Sequence, residues 1–368
     1  MNYPEELKYQ IALSLIPLVG SITAKNLIAY LGSVEAVFDA SEKTLTKIPG
    51  IGKGIADNIV KSDVLSRAGE EMEFMERNRV DAFFYLNDDY PARLKSCVDA
   101  PLVLFSKGTV NFNNEKVVAI VGTRNATDYG RKMCEELVAE MAKRGAYCVV
   151  SGLAYGIDVA AHKACLKHGV PTIGVLGHGL DCVYPSLHRS TAEKMMENGS
   201  LVSDFLSRTN IDRQNFLRRN RIIAGLADAT VIVESAEKGG SLVTADIAGS
   251  YNRDVFAFPG RSADNFSRGC NRLIKENKAN LIESLDDLEY FMSWQQNVDK
   301  PRKIQKQLFV QLNAEEQKIV DALQSGVLYI DNLCQTVSLP MGRVSSLLLG
   351  LEFNGLVESL PGKMYRLN

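Results

Sequence analysis

Apolar residues fall into two rhythms along this chain. KVVAIVGT (116–123), AYCVVSG (146–152), PTIGVLGHG (171–179), LVSDF (201–205), ATVIVES (229–235), VFAFPG (255–260) and LIES (281–284) are short, nearly continuous apolar runs. Stretches of helical periodicity separate them. Runs this apolar are buried on both faces, so they predict a mostly parallel sheet with helices on each side. The expected fold class is α/β, a doubly wound Rossmann-like domain over about 80–293.

The flanks read differently. Residues 1–75 predict short helices, a helix-hairpin-helix or SAM-like domain, and they contain a repeat. Ile16-Pro-Leu-Val-Gly-Ser-Ile-Thr-Ala-Lys-Asn-Leu-Ile recurs as Ile48-Pro-Gly-Ile-Gly-Lys-Gly-Ile-Ala-Asp-Asn-Ile-Val. In the second copy Gly50, Gly52, Lys53 and Gly54 resemble the hairpin of a helix-hairpin-helix motif. Glycines there let amides at a helix N-terminus approach a phosphate, a secondary DNA contact. The first copy has Leu18 and Ile22 in place of two of them and is expected to be structural. After a polar linker (295–307), residues 305–368 predict helix, helix, longer helix and a hairpin around Leu360-Pro361-Gly362, a winged-helix outline. Its recognition helix carries one cation, Arg343, so a packing or partner-binding role fits it as well as DNA binding.

Composition narrows the classes. The 368 residues carry a net charge of -2, so any nucleic-acid site must be a local patch. No apolar run is long enough to span a membrane, and the polar N-terminus MNYPEELKYQ lacks the features of a targeting segment. Seven cysteines without a C-x-x-C pair predict reduced thiols in a cytoplasmic protein. His178 and Cys182 have ligand spacing but no second pair, so no metal is expected.

In open α/β sheets ligands lie beyond the carboxyl ends of the strands. A dinucleotide wants G-x-G-x-x-G after the first strand; here Gly122 is followed by Arg124 and Thr127 at the other two positions. No P-loop sequence occurs either, so no nucleotide cofactor is expected. Arg124 instead puts a cation where a cofactor phosphate would meet backbone. Residues 206–225 add five arginines (Arg208, Arg213, Arg218, Arg219, Arg221) against one acid, Asp212. Guanidinium forks suit phosphates and an aromatic such as Phe216 suits an unstacked base, which favours a single strand over a duplex. At least one of Arg219 and Arg221 is expected to pair with Glu234 or Asp228 and support the sheet. Asp158 and His162 are spaced as an acid–base pair, but a structural role is expected for them. No nucleophile elbow is present, and no catalytic residue is assigned.

VAIVGTRNATDYG, SGLAYGIDVAAHKACL, TIGVLGHGLDCVYP, FLRRNRIIAGLADATVIVESAEKGGSLVTADIA and VFAFPG with SRGCNRLIKENKA occur in this order. Over about 116–282 they resemble the signature of the DNA-processing protein A family (DprA, also called Smf). The resemblance implies a bacterial cytosolic protein, not an enzyme, that binds single-stranded DNA without sequence preference. It further implies protection of incoming DNA in natural transformation, loading of the RecA recombinase, and a homodimer through the Rossmann-like domain. The family's phosphate pocket falls on Gly122, Thr123, Arg124, Arg213, Phe216, Arg219, Asn220 and Arg221. Arg218 stands within that run, and Gly240 and Ser241 belong to the loop that follows. The chain departs from the pattern at Gly239, where the family has serine, and at Ser203-Asp204-Phe205-Leu206, where it has serine-glutamate and a Pro-Gly stretch.

Two rival readings stand beside this one. The stretch from Arg218 to Ala245 also resembles the nucleotide phosphoribohydrolases of the lysine-decarboxylase-like family, which would place a mononucleotide in the same crevice. The catalytic glutamate of that motif is missing, with Asp246 only nearby. The third reading is an interaction scaffold whose flanking domains recruit partners.

Overall fold

The structure, a computed structural model, describes residues 3–109, 111–295, 312–324 and 326–367. Six helices come first: α1 (Glu5–Leu15), α2 (Ser21–Leu31), α3 (Val34–Asp39), α4 (Glu42–Leu45), α5 (Lys53–Lys61) and α6 (Val64–Asn78). The two sequence repeats form matching turns, one leading into α2 and the other into α5. Gly50 takes φ +83° in the second, and Leu18 takes φ +67° at the equivalent place in the first. The amide Nδ2 of Asn58 donates to the Pro17 carbonyl at 2.9 Å, tying the second copy to the first. Leu18 is 74% exposed, so little packing compensates its left-handed backbone. Leu18→Gly should therefore raise stability by about 0.5 kcal/mol, strain relief less the added chain entropy of glycine. Urea unfolding of the two proteins checks this, and a destabilised variant would count against it.

The middle of the chain is β1 (Asp81–Phe84), α7 (Ala92–Lys95), β2 (Val103–Gly108), β3 (Lys116–Val121), α8 (Asp128–Arg144), β4 (Tyr147–Ser151), α9 (Ile157–His168), β5 (Thr172–Val175), α10 (Arg189–Met195) and β6 (Gly199–Ser203). Then follow α11 (Arg213–Leu226), β7 (Ala229–Ile232), α12 (Gly240–Ser250), β8 (Asp254–Ala257), α13 (Arg268–Lys275), β9 (Asn280–Leu281) and α14 (Leu285–Phe291). The strands make one nine-stranded sheet in the order β1-β2-β6-β5-β4-β3-β7-β8-β9. From β6 to β9 every pairing is parallel. The chain winds outward from β3 to β6, then returns to the other side of β3 at β7. That reversal is the topological switch point, where doubly wound sheets hold their ligands.

Alternation along the strands builds the two faces. Val117, Ala119 and Val121 of β3 pack with Ile222 and Ile223 of α11 and Leu242 and Ala245 of α12. Val118 and Ile120 pack with Leu137 and Val138 of α8 and Ala161 and Cys165 of α9. β3, β4, β5, β6 and β7 are buried throughout, as their composition requires.

Two details differ from the sequence reading. β1 and β2 add an antiparallel edge. They are short, and their inward residues serve the N-terminal helices: Phe84, Val103 and Phe105 share one core with Leu27, Ile59 and Met75. Several strands also end two to four residues earlier than their apolar runs. Leu176 to Gly179 and Val233 to Ser235 are buried but leave the ladder, and so form the crevice loops. Of the linker read at 295–307, all but Gln295 lies outside the described residues.

The C-terminal region is α15 (Ala314–Leu323), β10 (Leu328–Tyr329), α16 (Ile330–Val337), α17 (Met341–Phe353), β11 (Val357–Leu360) and β12 (Met364–Leu367), a winged helix with a three-stranded sheet. Arg343 on α17 is ion-paired with Glu315 at 2.7 Å, so the one cation of that helix is engaged within the module. No helix among the described residues is long and apolar enough to cross a membrane.

Candidate nucleic-acid interface

A cavity of about 550 Å³ opens at the switch point. Gly122 to Asn125 close one side, Ala236 to Ser241 the other, and α11 lies across with Arg213, Phe216, Leu217 and Asn220. Thr123 pins the two strand exits together. Its amide donates to the Glu234 carbonyl at 2.7 Å, and its carbonyl accepts from the Ile157 amide at 3.1 Å. The Glu234 carboxylate turns away to the start of α8, accepting from the Thr127 amide (2.9 Å) and hydroxyl (2.5 Å).

Helical periodicity sorts the arginine cluster. Arg213, Phe216, Leu217, Asn220 and Ile223 repeat every three or four residues and face the cavity. Arg218 and Arg221 share a different stripe, turned toward the exit of β6. The Arg218 guanidinium lies 5.4 Å from the Phe205 ring. Arg221 binds the Asp204 carboxylate and the Asp99 carbonyl. Arg219 points inward, is 3% exposed, and donates to the Gly152 carbonyl at 2.6 Å and to the Val175 carbonyl. Two of the arginines are thus structural, with partners other than those expected. Asp228 is already held by Arg93 at 2.6 Å, and Glu234 caps α8.

Motif glycines explain how α11 sits. A Cβ on Gly152 would lie 2.2 Å from the Arg219 guanidinium, and one on Gly177 would lie 2.8 Å from the Phe216 ring. These glycines are seats for α11 side chains.

Four cations line the cavity among the described residues: Arg219, held by the Gly152 and Val175 carbonyls, and Arg124, Arg213 and Lys238, which have no ion-pair partner there. The Arg124 guanidinium lies 5.9 Å from the centre of the Phe216 ring, and Tyr184 stands beside that ring at 5.8 Å. α12 begins at Gly240 after Gly239, with no side-chain cap, so its first amides point at the cavity. Ser241 is turned inward to Ser235 at 2.9 Å. The arrangement offers guanidinium and ammonium charge, open amides and an aromatic plate, the donor set for a phosphodiester with an adjacent base.

Asn125 and Lys238 lie on loops that the sequence places at the carboxyl ends of the strands but are not singled out there as contacts, and Phe266 and Tyr184 are missed in the sequence. Lys238 adjoins the glycine pair and was legible as part of that loop. Phe266 and Tyr184 come from irregular segments that no periodicity marks. Gly50, Gly52, Lys53 and Gly54 form the start of α5 and are not among the residues lining this cavity.

Asp158 and His162 are not brought together. Asp158 lines the cavity floor, and burial pushes its carboxyl up against the pull of Arg219. Burial likewise lowers Arg219, to about 10, so it remains a cation at neutral pH. His162 pairs with the Thr172 hydroxyl at 2.7 Å. That hydroxyl donates to the Val149 carbonyl at 3.0 Å, so it accepts from His162 Nδ1–H. Burial, with the Arg219 charge, pushes His162 down to about 3. Below its unfolded value near 6.5 the unfolded chain takes up a proton that the folded chain refuses. Stability should therefore fall as the pH drops from about 6.5, by up to about 1.4 kcal/mol per unit. Urea unfolding at pH 7 and pH 5 measures the fall, and His162→Gln should remove the larger part of it. An unchanged pH dependence in that variant would disprove the assignment. His178 and Cys182 approach to 3.5 Å, but His178 Nδ1 bonds the Gly179 carbonyl and Nε2 accepts from the Tyr184 amide. No cluster able to hold a metal occurs among the described residues.

Comparison with known proteins places these features in a family. The model described as DNA recombination-mediator protein A matches residues 81–293. The DprA winged helix domain matches 307–363, and a helix-hairpin-helix motif matches 10–62. Protein Smf of Synechocystis sp. is 30% identical, with 98% of each chain covered. DNA processing protein DprA of Streptococcus pneumoniae is 33% identical over 67% of this chain and 92% of its own. An X-ray structure of the pneumococcal protein superposes with a TM-score of 0.67 at 29% identity, covering 79% of this chain and 98% of that one. A structure of DNA processing protein A from Helicobacter pylori, described for its single-stranded DNA binding mode, gives 0.53 at 26% identity, over 59% and 96%. With the central match covering more than half of its length, the chain belongs to the DNA recombination-mediator protein A family.

Proposed function

We propose that this protein binds single-stranded DNA without sequence preference in the switch-point crevice. It shields the strand and helps load the RecA recombinase onto it, acting in the cytoplasm as a homodimer through the doubly wound domain. The observation that carries the DNA part is the set of cations Arg124, Arg213 and Lys238, without a carboxylate partner among the described residues, in the crevice with the Phe216 ring and the start of α12, which has no side-chain cap. The single-stranded DNA named for the H. pylori relative supports the same ligand. Family membership supports the recombinase and homodimer parts. The amides at the start of α5, behind Gly50 and Gly52, offer a secondary phosphate contact.

The mononucleotide alternative has less behind it. Asp246, the acid nearest the missing catalytic position, is 62% exposed at its side chain and lies 3.6 Å from Lys278. It is not among the residues lining the crevice.

The test is a titration of the full chain with labelled single strands, duplexes and mononucleotides over a range of salt. Preference for single strands is expected, with log K falling against log salt at a slope near -3 for about four phosphates. Failure to bind single strands at any salt, or release of free base from a mononucleotide, would overturn the reading.

A further inference from the structure

A second basic cavity lies on the sheet face that carries α9 and α10. It measures about 680 Å³ and is lined by Lys163, Lys167, Ser190, Thr191, Lys194 and Glu197, among others. Lys167 is accounted for: it pairs with Glu135 at 2.6 Å and sits at the carboxyl end of α9, where the helix dipole favours a cation. Lys163 and Lys194 are exposed, and neither has an ion-pair partner among the described residues. With one carboxylate, Glu197, the lining keeps a net positive charge.

Two links join this cavity to the crevice. α9 is shared: Asp158, in its first turn, lines the crevice, and Lys163 lies about 7.5 Å further along the axis. Beside the crevice and beside the start of α10 stand aromatic rings that belong to no buried core among the described residues. Tyr184 is 46% exposed and lies beside Phe216. Tyr155 is 45% exposed and stands edge-on to His188 at 5.1 Å. His188 immediately precedes α10, whose first residues, Arg189 and Ser190, are exposed, and Ser190 lines the lysine cavity. Aromatic plates alternating with cations are what an unpaired strand needs, stacking for the bases and charge for the phosphates.

Resting on the crevice as the primary DNA site, we propose that a bound single strand continues out of it over Tyr184 and Tyr155 and lays its backbone in the lysine cavity between α9 and α10. The crevice holds the first nucleotides, and the track sets how long a strand is needed for full affinity.

Full-length protein is titrated with oligothymidylates of about 5 and about 15 nucleotides, lengths that bracket the crevice alone and the whole track. The variants are Lys163→Gln/Lys194→Gln, Tyr155→Ala and, as control, Arg124→Ala. The double lysine variant should bind the long strand at least tenfold more weakly, with a salt slope shallower by about 1.4 for two lost phosphate contacts, and the short strand as wild type does. Tyr155→Ala should weaken the long strand at least fivefold without changing the slope. Wild-type binding of the long strand by the lysine variant overturns the track, as does equal weakening of both lengths. If Arg124→Ala weakens both lengths while the lysine variant changes neither, the track falls and the crevice stands. If the wild-type protein binds neither length, both fall.

Discussion

Arg124→Ala should bind single-stranded DNA ten- to a hundredfold more weakly than the wild-type protein, with an unchanged melting temperature. Arg124 is exposed, its guanidinium lies against the Phe216 ring, and it lines the crevice. Its removal exposes no buried partner, so the fold loses little. A charge-assisted hydrogen bond to phosphate contributes roughly 1.5–3 kcal/mol, and one phosphate fewer should make the salt slope shallower by about 0.7. Arg221→Ala is the informative contrast. That side chain faces away from the crevice and neutralises Asp204, which is 7% exposed at its side chain and whose Oδ1 has no partner. Its loss strands a buried carboxylate and should cost about 3 kcal/mol of stability. Thermal melting and anisotropy titration on both variants separate the two roles. If Arg124→Ala lost stability and Arg221→Ala lost only affinity, the assignment of faces on α11 would be wrong.

Glu71→Ala should destabilise the protein by about 3 kcal/mol and also weaken DNA binding, although Glu71 lies on α6, outside the crevice. The Glu71 carboxylate is 2% exposed and accepts from the Ser207 amide at 2.9 and 3.1 Å and from the Ser207 hydroxyl at 2.5 Å. Arg67 completes the clamp, donating to Glu71 at 2.8 Å and to the Ser207 carbonyl at 2.6 Å. Ser207 belongs to the segment between β6 and α11. Removing the carboxylate leaves a buried amide and hydroxyl without an acceptor and a half-buried arginine without its counter-charge. The segment that aims Arg213 and Phe216 then loses its anchor. Denaturant unfolding measures the first effect, and titration at low temperature, where the variant remains folded, measures the second. Wild-type stability in Glu71→Ala would remove the clamp from this account.

What the sequence determined by itself was whatever rests on local pattern. Nearly continuous apolar runs at 116–121, 147–151 and 229–232 predicted strands buried on both faces, and helical periodicity between them predicted a doubly wound sheet. The position of Arg124 after the first glycine was equally legible, because loops after parallel strands must collect at one end of the sheet. The repeat at 16 and 48 announced paired hairpins, though not that Leu18 would take the backbone conformation of Gly50.

Tertiary structure alone decided which arginines are free. Arg218, Arg219 and Arg221 look equivalent in sequence, but each step along a helix turns a side chain by about 100°. One therefore stacks on Phe205, one fills a seat made by Gly152, and one meets Asp204. Those partners come from the loops just beyond the ends of β4 and β6, and no local pattern records them. The same holds for Glu71 and Ser207, 136 residues apart, and for Tyr184 beside Phe216. Charge density along the chain marked the binding region; long-range packing determined which charges are left facing solvent in the crevice.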